Sequence, residues 1–175
     1  MLRYTFTILA ALCSVALIAQ VENPDWQTLD KKSYSISFPD DWSIDNSGQM
    51  NTQFILTSAQ EGPDDTFQES VSCISQDLGG FNMTLDQFAK LSEAQIPILI
   101  ENGKVEDSKR VTGNDGMEYQ RVVFTGTQEG MNLKLIQHYY LYKEKAYVLT
   151  FNTVETEFEN QEAIADRVLS TFRFK

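Results

Sequence analysis

The sequence predicts an α+β fold, an antiparallel sheet with helices packed on it. Three observations carry this. Several short stretches alternate apolar and polar residues with the period of two that a half-buried strand requires. Two longer segments repeat apolar residues at helical spacing behind Ser/Thr-x-x-Glu/Gln starts. Tight-turn residues sit between successive strand stretches, so neighbouring strands pair antiparallel.

Taken in order, Ser33–Phe38 alternates and stops at Pro39. Gln53–Ser58 and Ser70–Ser75 are further strands, separated by the loop Glu61-Gly62-Pro63-Asp64-Asp65. Thr84 with Gln87 is a capping-box spacing that opens a helix, with Leu85, Phe88, Ala89, Leu91, Ser92 and Ile96 at helical intervals. Pro97 should kink or end it. Lys104–Thr112, Met117–Thr125, Asn132–Tyr142 and Ala146–Thr153 then read as a four-strand meander. Its joints are Gly113–Gly116, Glu129-Gly130 and a three-residue loop, Lys143-Glu144-Lys145. Thr156 with Glu159 offers a second capping box. The helix it starts has Phe158, Ala165, Leu169 and Phe172 as its stripe, with Ile164 and Val168 beside them. Phe172-Arg173-Phe174 reads as a last edge strand.

The N-terminus has a different character. Met1-Leu2-Arg3 is followed by an uncharged apolar run from Tyr4 to Ala19 and then by polar, acidic sequence. A short positive start, an apolar stretch and small residues before a polar beginning describe a secretory signal peptide. Residues 1–20 are therefore expected to be removed, with cleavage near Ala19 or Gln20, leaving a single domain over residues 21–175 that is exported to the periplasm or the extracellular space. The apolar run is shorter than the ~20 residues of a spanning helix, so no membrane span is expected. Leu12 occupies the place where a lipobox wants a small residue, which argues against lipid attachment at Cys13.

Composition excludes several functions. The chain has 175 residues and a net charge of −11; loss of Arg3 with the leader leaves 13 Lys and Arg against 25 Asp and Glu, or −12. Nucleic acid and anionic lipid both need clustered cations, and Lys31-Lys32 and Lys109-Arg110 are the longest basic clusters, so neither is expected as a partner. One histidine cannot build a histidine metal site. Asp40-Asp41 and Asp64-Asp65 do not resemble a calcium loop. No nucleophile elbow, phosphate loop or dinucleotide fingerprint occurs, so no catalytic residue, metal or cofactor is expected and the chain reads as a non-enzyme. Without the leader, Cys73 is the one remaining cysteine, in an apolar run, and it reads as a buried thiol.

One side-chain constellation is a candidate ligand face. With Glu129-Gly130 as a two-residue hairpin loop, Arg121 faces His138, Tyr119 faces Tyr140 and Met117 faces Tyr142. Tyr119, Arg121, His138, Tyr140 and Tyr142 then share one side of the sheet. They form either a shallow aromatic and cationic groove, suited to a sugar ring or carboxylate, or a face covered by helices. Val122, Phe124, Leu133, Leu135, Tyr139 and Leu141 fall on the other side, which reads as the better core, extended by Tyr147, Leu149 and Phe151.

Tyr34-Ser35-Ile36-Ser37-Phe38-Pro39-Asp40-Asp41-Trp42 resembles the opening strand and "PxxW" corner of the PsbP/Mog-type superfamily. That superfamily holds the extrinsic PsbP protein of photosystem II, a Ran-binding nuclear branch and bacterial envelope proteins such as DcrB. Ala146–Phe151, the helix after it and Ser170–Phe174 are similar to the end of the same domain. The resemblance covers nearly all the chain beyond the leader and implies an α-β-α sandwich around an antiparallel sheet. It carries no catalytic motif, and fold does not carry function. Pro39 and Trp42 read as a strand-ending proline and a corner-filling indole. Together with the leader, the resemblance implies an exported binding or assembly accessory of the bacterial envelope, monomeric or weakly associating, with an envelope protein as partner. A carrier of a small or lipid-like ligand, held between sheet and helix, is the alternative, and it requires a cavity of a few hundred Å³.

Overall fold

The computed structural model of the chain describes residues 25–60, 62–63 and 65–175. The expected signal peptide, with Cys13 and the cleavage point, lies outside the described residues.

Among the described residues, ten strands and two α-helices follow in the order β1 (Trp26–Asp30), β2 (Tyr34–Pro39), β3 (Ser43–Asp45), β4 (Thr52–Thr57), β5 (Ser70–Asp77), α1 (Leu85–Leu99), β6 (Glu101–Thr112), β7 (Glu118–Gln128), β8 (Met131–Tyr142), β9 (Lys145–Val154), α2 (Phe158–Leu169) and β10 (Arg173–Phe174). Seven strands form one antiparallel sheet in the order β3-β4-β5-β9-β8-β7-β6. The other three form a small sheet, β1-β2-β10. One face of the large sheet packs on α1 through Phe88, Ala89 and Ile96. The other packs on α2 and the small sheet through Ile36, Phe38, Phe54, Phe151, Leu169 and Phe172. This is the expected α+β sandwich.

Local chemistry explains most of the elements. At the start of α1, Thr84 Oγ1 accepts the Gln87 N–H and Gln87 Oε1 accepts the Thr84 N–H, the capping box in full. Pro97 does not end α1, which runs two residues further, to Leu99. At that point the helix closes with the Ile100 N–H on the Ile96 carbonyl, so the helical path carries past the bond that proline cannot donate. The second capping box does not form. Thr156 lies in a 3₁₀ turn, Glu155–Glu157, and α2 begins behind Glu157 with no side-chain cap. Its apolar stripe is nonetheless the expected one, with Phe158, Ala165, Val168 and Leu169 buried. Strands β1 and β3 had no clear sequence signal: β1 is only half-buried and β3 has three residues.

The two central hairpins decide which side chains share a face. Glu129-Gly130 is the expected two-residue loop, with both residues at positive φ and Gln128 opposite Met131. The next loop is also two residues, Lys143-Glu144 at φ 48° and 61°, which places Tyr142 opposite Lys145. The three-residue loop read from the sequence is therefore a correction. Neither Lys nor Glu advertises the left-handed backbone, so nothing local marks the tighter turn. One residue of slip inverts a strand. Tyr147, Leu149 and Phe151 consequently stand with Tyr140, His138 and Ile136 rather than with Tyr139 and Leu141. The larger core cluster lies on the Tyr/Arg/His side, the reverse of the sequence reading.

Candidate functional site

The candidate face assembles as its register requires. Arg121 pairs with His138 across β7 and β8, and the Tyr119 ring lies 4.3 Å from the His138 ring and 5.0 Å from that of Tyr140. The chain itself then covers the face. Tyr119, Arg121, His138 and Tyr140 are all buried. Phe172 packs on Tyr140 at 5.4 Å, and Phe174 stacks on Tyr142 at 4.2 Å. Tyr142 keeps a half-exposed position at the rim, where its hydroxyl donates to the Lys175 carbonyl at 3.0 Å.

Arg121 is the hinge pin of this arrangement. Its Nη2 donates to Glu162 Oε1 at 2.8 Å, and its Nε donates to Asp166 Oδ1 at 3.1 Å. Asp107 Oδ2 on β6 stands 3.8 Å from Nη1. A guanidinium 8% exposed thus ties α2 to the sheet through carboxylates that are about half exposed. Burial alone would lower its pKa; the hydrogen bonds and charge of Asp166, then of Glu162, raise it above the usual arginine value. His138 is held neutral. Burial, and then the charge of Arg121, pull its pKa down to about 3. Its Nδ1 lies 3.5 Å from the Tyr140 hydroxyl, and its Nε2 has no hydrogen-bond partner among the described residues. Burial raises the phenols of Tyr119 and Tyr140. None of these groups is poised to exchange a proton near neutral pH or to meet a ligand. Of the two readings of these five residues, the covered face is the one that forms: helix α2 and strand β10 lie over it, and the Arg121 guanidinium finds its anions on α2.

The Pro39–Trp42 corner serves packing. Trp42 is buried, and Gln27 Nε2 donates to the Trp42 carbonyl at 3.1 Å. Cys73 is fully buried, and its thiol is pushed up to about 12. Among the described residues no three His, Cys, Asp or Glu side chains are placed to hold a metal, and no helix is long and apolar enough to cross a membrane.

Two features escaped the sequence reading. Glu69 is a buried carboxylate that accepts hydrogen bonds from Thr153 Oγ1 at 2.9 Å and Ser58 Oγ at 3.2 Å. Its partners stand 11 and 84 positions away in the chain, which no period reveals. The second is a groove of about 280 Å³ between α1 and the β5/β9/β8 face, reached past Ile74, Gln76, Gln95 and Leu99. Phe88, Ile96, Phe124, Tyr139 and Val148 form its floor and walls, and no charged residue lines it. The sequence does hold a trace of this: α1 carries more apolar residues than one stripe needs. Leu91, read as part of the buried stripe, is 54% exposed, and Ile98 and Leu99 are 77% and 74% exposed.

The architecture has solved relatives. A cyanobacterial PsbP, CyanoP of Synechocystis sp. PCC 6803, superposes with a TM-score of 0.63 at 12% identity, covering 92% of this chain and 99% of that one. The Ran-binding protein Mog1p of Saccharomyces cerevisiae superposes with 0.58 at 9% identity, over 86% and 96% of the two chains. The fold is PsbP/Mog1-like. LpqN of Mycobacterium tuberculosis, described as involved in cell envelope biogenesis, superposes with 0.59 at 11% identity, over 86% of this chain and 91% of its own. At the level of sequence, no family model and no curated protein matches. Such likeness establishes shape, and the resemblance read from Tyr34–Trp42 is to that extent correct.

Proposed function

We propose that this chain is an exported, non-enzymatic binding or assembly accessory of the bacterial envelope, acting through the groove between α1 and the sheet. The observation that carries the reading is the groove's lining. In a chain with 39 charged residues, 25 acidic and 14 basic, the groove presents apolar walls and the uncharged polar groups of Gln76, Ser92, Gln95 and Gln137 at its margin. Such a surface suits an uncharged, partly apolar segment of another protein, whose backbone amides can meet the glutamines. The export leader and the PsbP-like fold, shared with an envelope-biogenesis protein, support the compartment. The groove's volume falls at the lower end of small-ligand sites, so a carrier of one small or lipid-like ligand is the second reading.

A photocrosslinking residue at Gln95 or Gln76, in the full chain expressed in cells, separates the two. The accessory reading expects a discrete protein adduct that disappears when Val148→Trp fills the groove. Lipid-sized adducts alone would transfer the function to the carrier reading. Adducts that persist in Val148→Trp, or no adduct at either position, would remove the groove from both.

A further inference from the structure

We infer that the outer face of α1 is a self-association surface, on which a second copy of this chain docks through an antiparallel α1–α1 pair. This surface lies on the side of α1 turned away from the sheet and is separate from the groove beneath it.

Gln87, Leu91, Ala94 and Ile98 fall at spacings of four, three and four, the seam of a two-helix contact. All four are exposed, Ile98 at 77%. The seam is self-complementary. In an antiparallel pair with its two-fold axis between residues 92 and 93, Leu91 of one copy meets Ala94 of the other, and Gln87 meets Ile98. The axis then falls at the middle of Leu85–Leu99, so the helices overlap over their whole length. Ala94 is small and admits the opposing Leu91. At the Gln87 end there is already a hole, an open cleft of about 500 Å³ lined by Phe81, Met83, Gln87, Lys90 and Leu91. Ile98 of the second copy lands on it, against a Phe81 that is 76% exposed. Knob and hole lie on the same helix, so one two-fold closes both contacts and leaves nothing to propagate.

Charge favours a second copy over a membrane. On this face Gln87, Leu91, Ala94 and Ile98 are uncharged and Lys90 is basic, while Asp86 at its edge already pairs with Arg110, so two chains of net charge −11 meet here with little opposition between carboxylates. One lysine offers an anionic bilayer almost no attraction. In the antiparallel pair Lys90 instead faces the C-terminal half of the opposing α1, whose last turn holds no basic residue of its own. A contact of one helix pair is small, so the dimer should form in the ~10–100 µM range.

The experiment uses the chain as exported, residues 21–175 without the apolar leader and Cys13, in which Cys73 is buried. Sedimentation velocity across that range should show a concentration-dependent dimer. Ile98→Glu should weaken it at least ~10-fold while leaving the circular dichroism and thermal midpoint unchanged, because the side chain is already in water. Disulfide trapping tests the geometry. Ala94→Cys places two thiols ~4–5 Å apart along the paired axes and should crosslink to itself, whereas Gln87→Cys leaves them ~16 Å apart and should not. A chain that stays monomeric throughout overturns the proposal. So does a dimer indifferent to Ile98→Glu, or one that crosslinks through Gln87→Cys as readily as through Ala94→Cys.

Discussion

Arg121 anchors α2 to the sheet, and the strength of that anchor can be worked from its surroundings. Replacing it by methionine keeps the buried stem and removes the charge, along with two short hydrogen bonds, to Glu162 at 2.8 Å and Asp166 at 3.1 Å. A fully buried pair broken on one side costs about 3–5 kcal/mol, and an exposed pair about 0.2–1 kcal/mol. Here the cation is buried and the anions are about half exposed, so the released carboxylates recover water. Arg121→Met should therefore cost about 2 kcal/mol, or about 4–8 °C in thermal midpoint for a domain of this size. Glu162→Gln with Asp166→Asn is the harsher change. It strands the guanidinium with only Asp107, 3.8 Å away, and should cost about 3 kcal/mol. The three changes together should cost no more than about 3 kcal/mol, because the methionine then removes a cation that has lost its anions. Urea unfolding of the four proteins at constant pH closes the cycle. Losses that add to within ~0.5 kcal/mol would show that the pairs are incidental and that apolar packing alone holds α2.

The pH dependence of stability should identify His138. Its folded pKa, about 3, lies below the unfolded value of about 6.5, so between those values the unfolded chain binds a proton that the native chain refuses. Its contribution is intact above pH ~6.5 and is lost toward pH 3. Relative to His138→Phe, the wild type should lose about 1.4 kcal/mol per pH unit between pH 4 and 6, and parallel urea-unfolding profiles would remove the assignment. At pH 7 the phenylalanine should be tolerated, since it keeps the ring contact with Tyr119 and eliminates a buried nitrogen that has no partner among the described residues. Gly103→Ala should destabilise by about 1–3 kcal/mol, as a Cβ there would stand 2.5 Å from the Ile96 carbonyl oxygen; Gly62→Ala, with open space around it, should stay within ~0.5 kcal/mol on thermal melting.

Legibility in the sequence followed the range of the interaction that decides each feature. The capping box of α1 acts within four residues, and it formed as read. The Glu129-Gly130 turn carries its own glycine, and it placed Arg121 opposite His138. The Lys143-Glu144 turn carries no such mark, so the register of β9, and with it the faces of Tyr147, Leu149 and Phe151, could not be read locally. The second capping box failed for a related reason: the chain leaves β9 into a 3₁₀ turn, and the spacing of Thr156 and Glu159 cannot report that direction.

The sequence by itself determined the antiparallel α+β plan, both helices, the pairing of β7 with β8 and the net charge of −11, since each rests on spacing, turn chemistry or composition. Only the tertiary structure decided what the Tyr/Arg/His face is for. An arginine beside aromatic rings on a strand serves a ligand groove or an interior equally well, and the difference lies in whether distant carboxylates arrive. Glu162 and Asp166, more than forty positions away in the chain, close over Arg121. The apolar surface left over then appears elsewhere, along α1, where no part of the described chain covers Ile98 or Leu99.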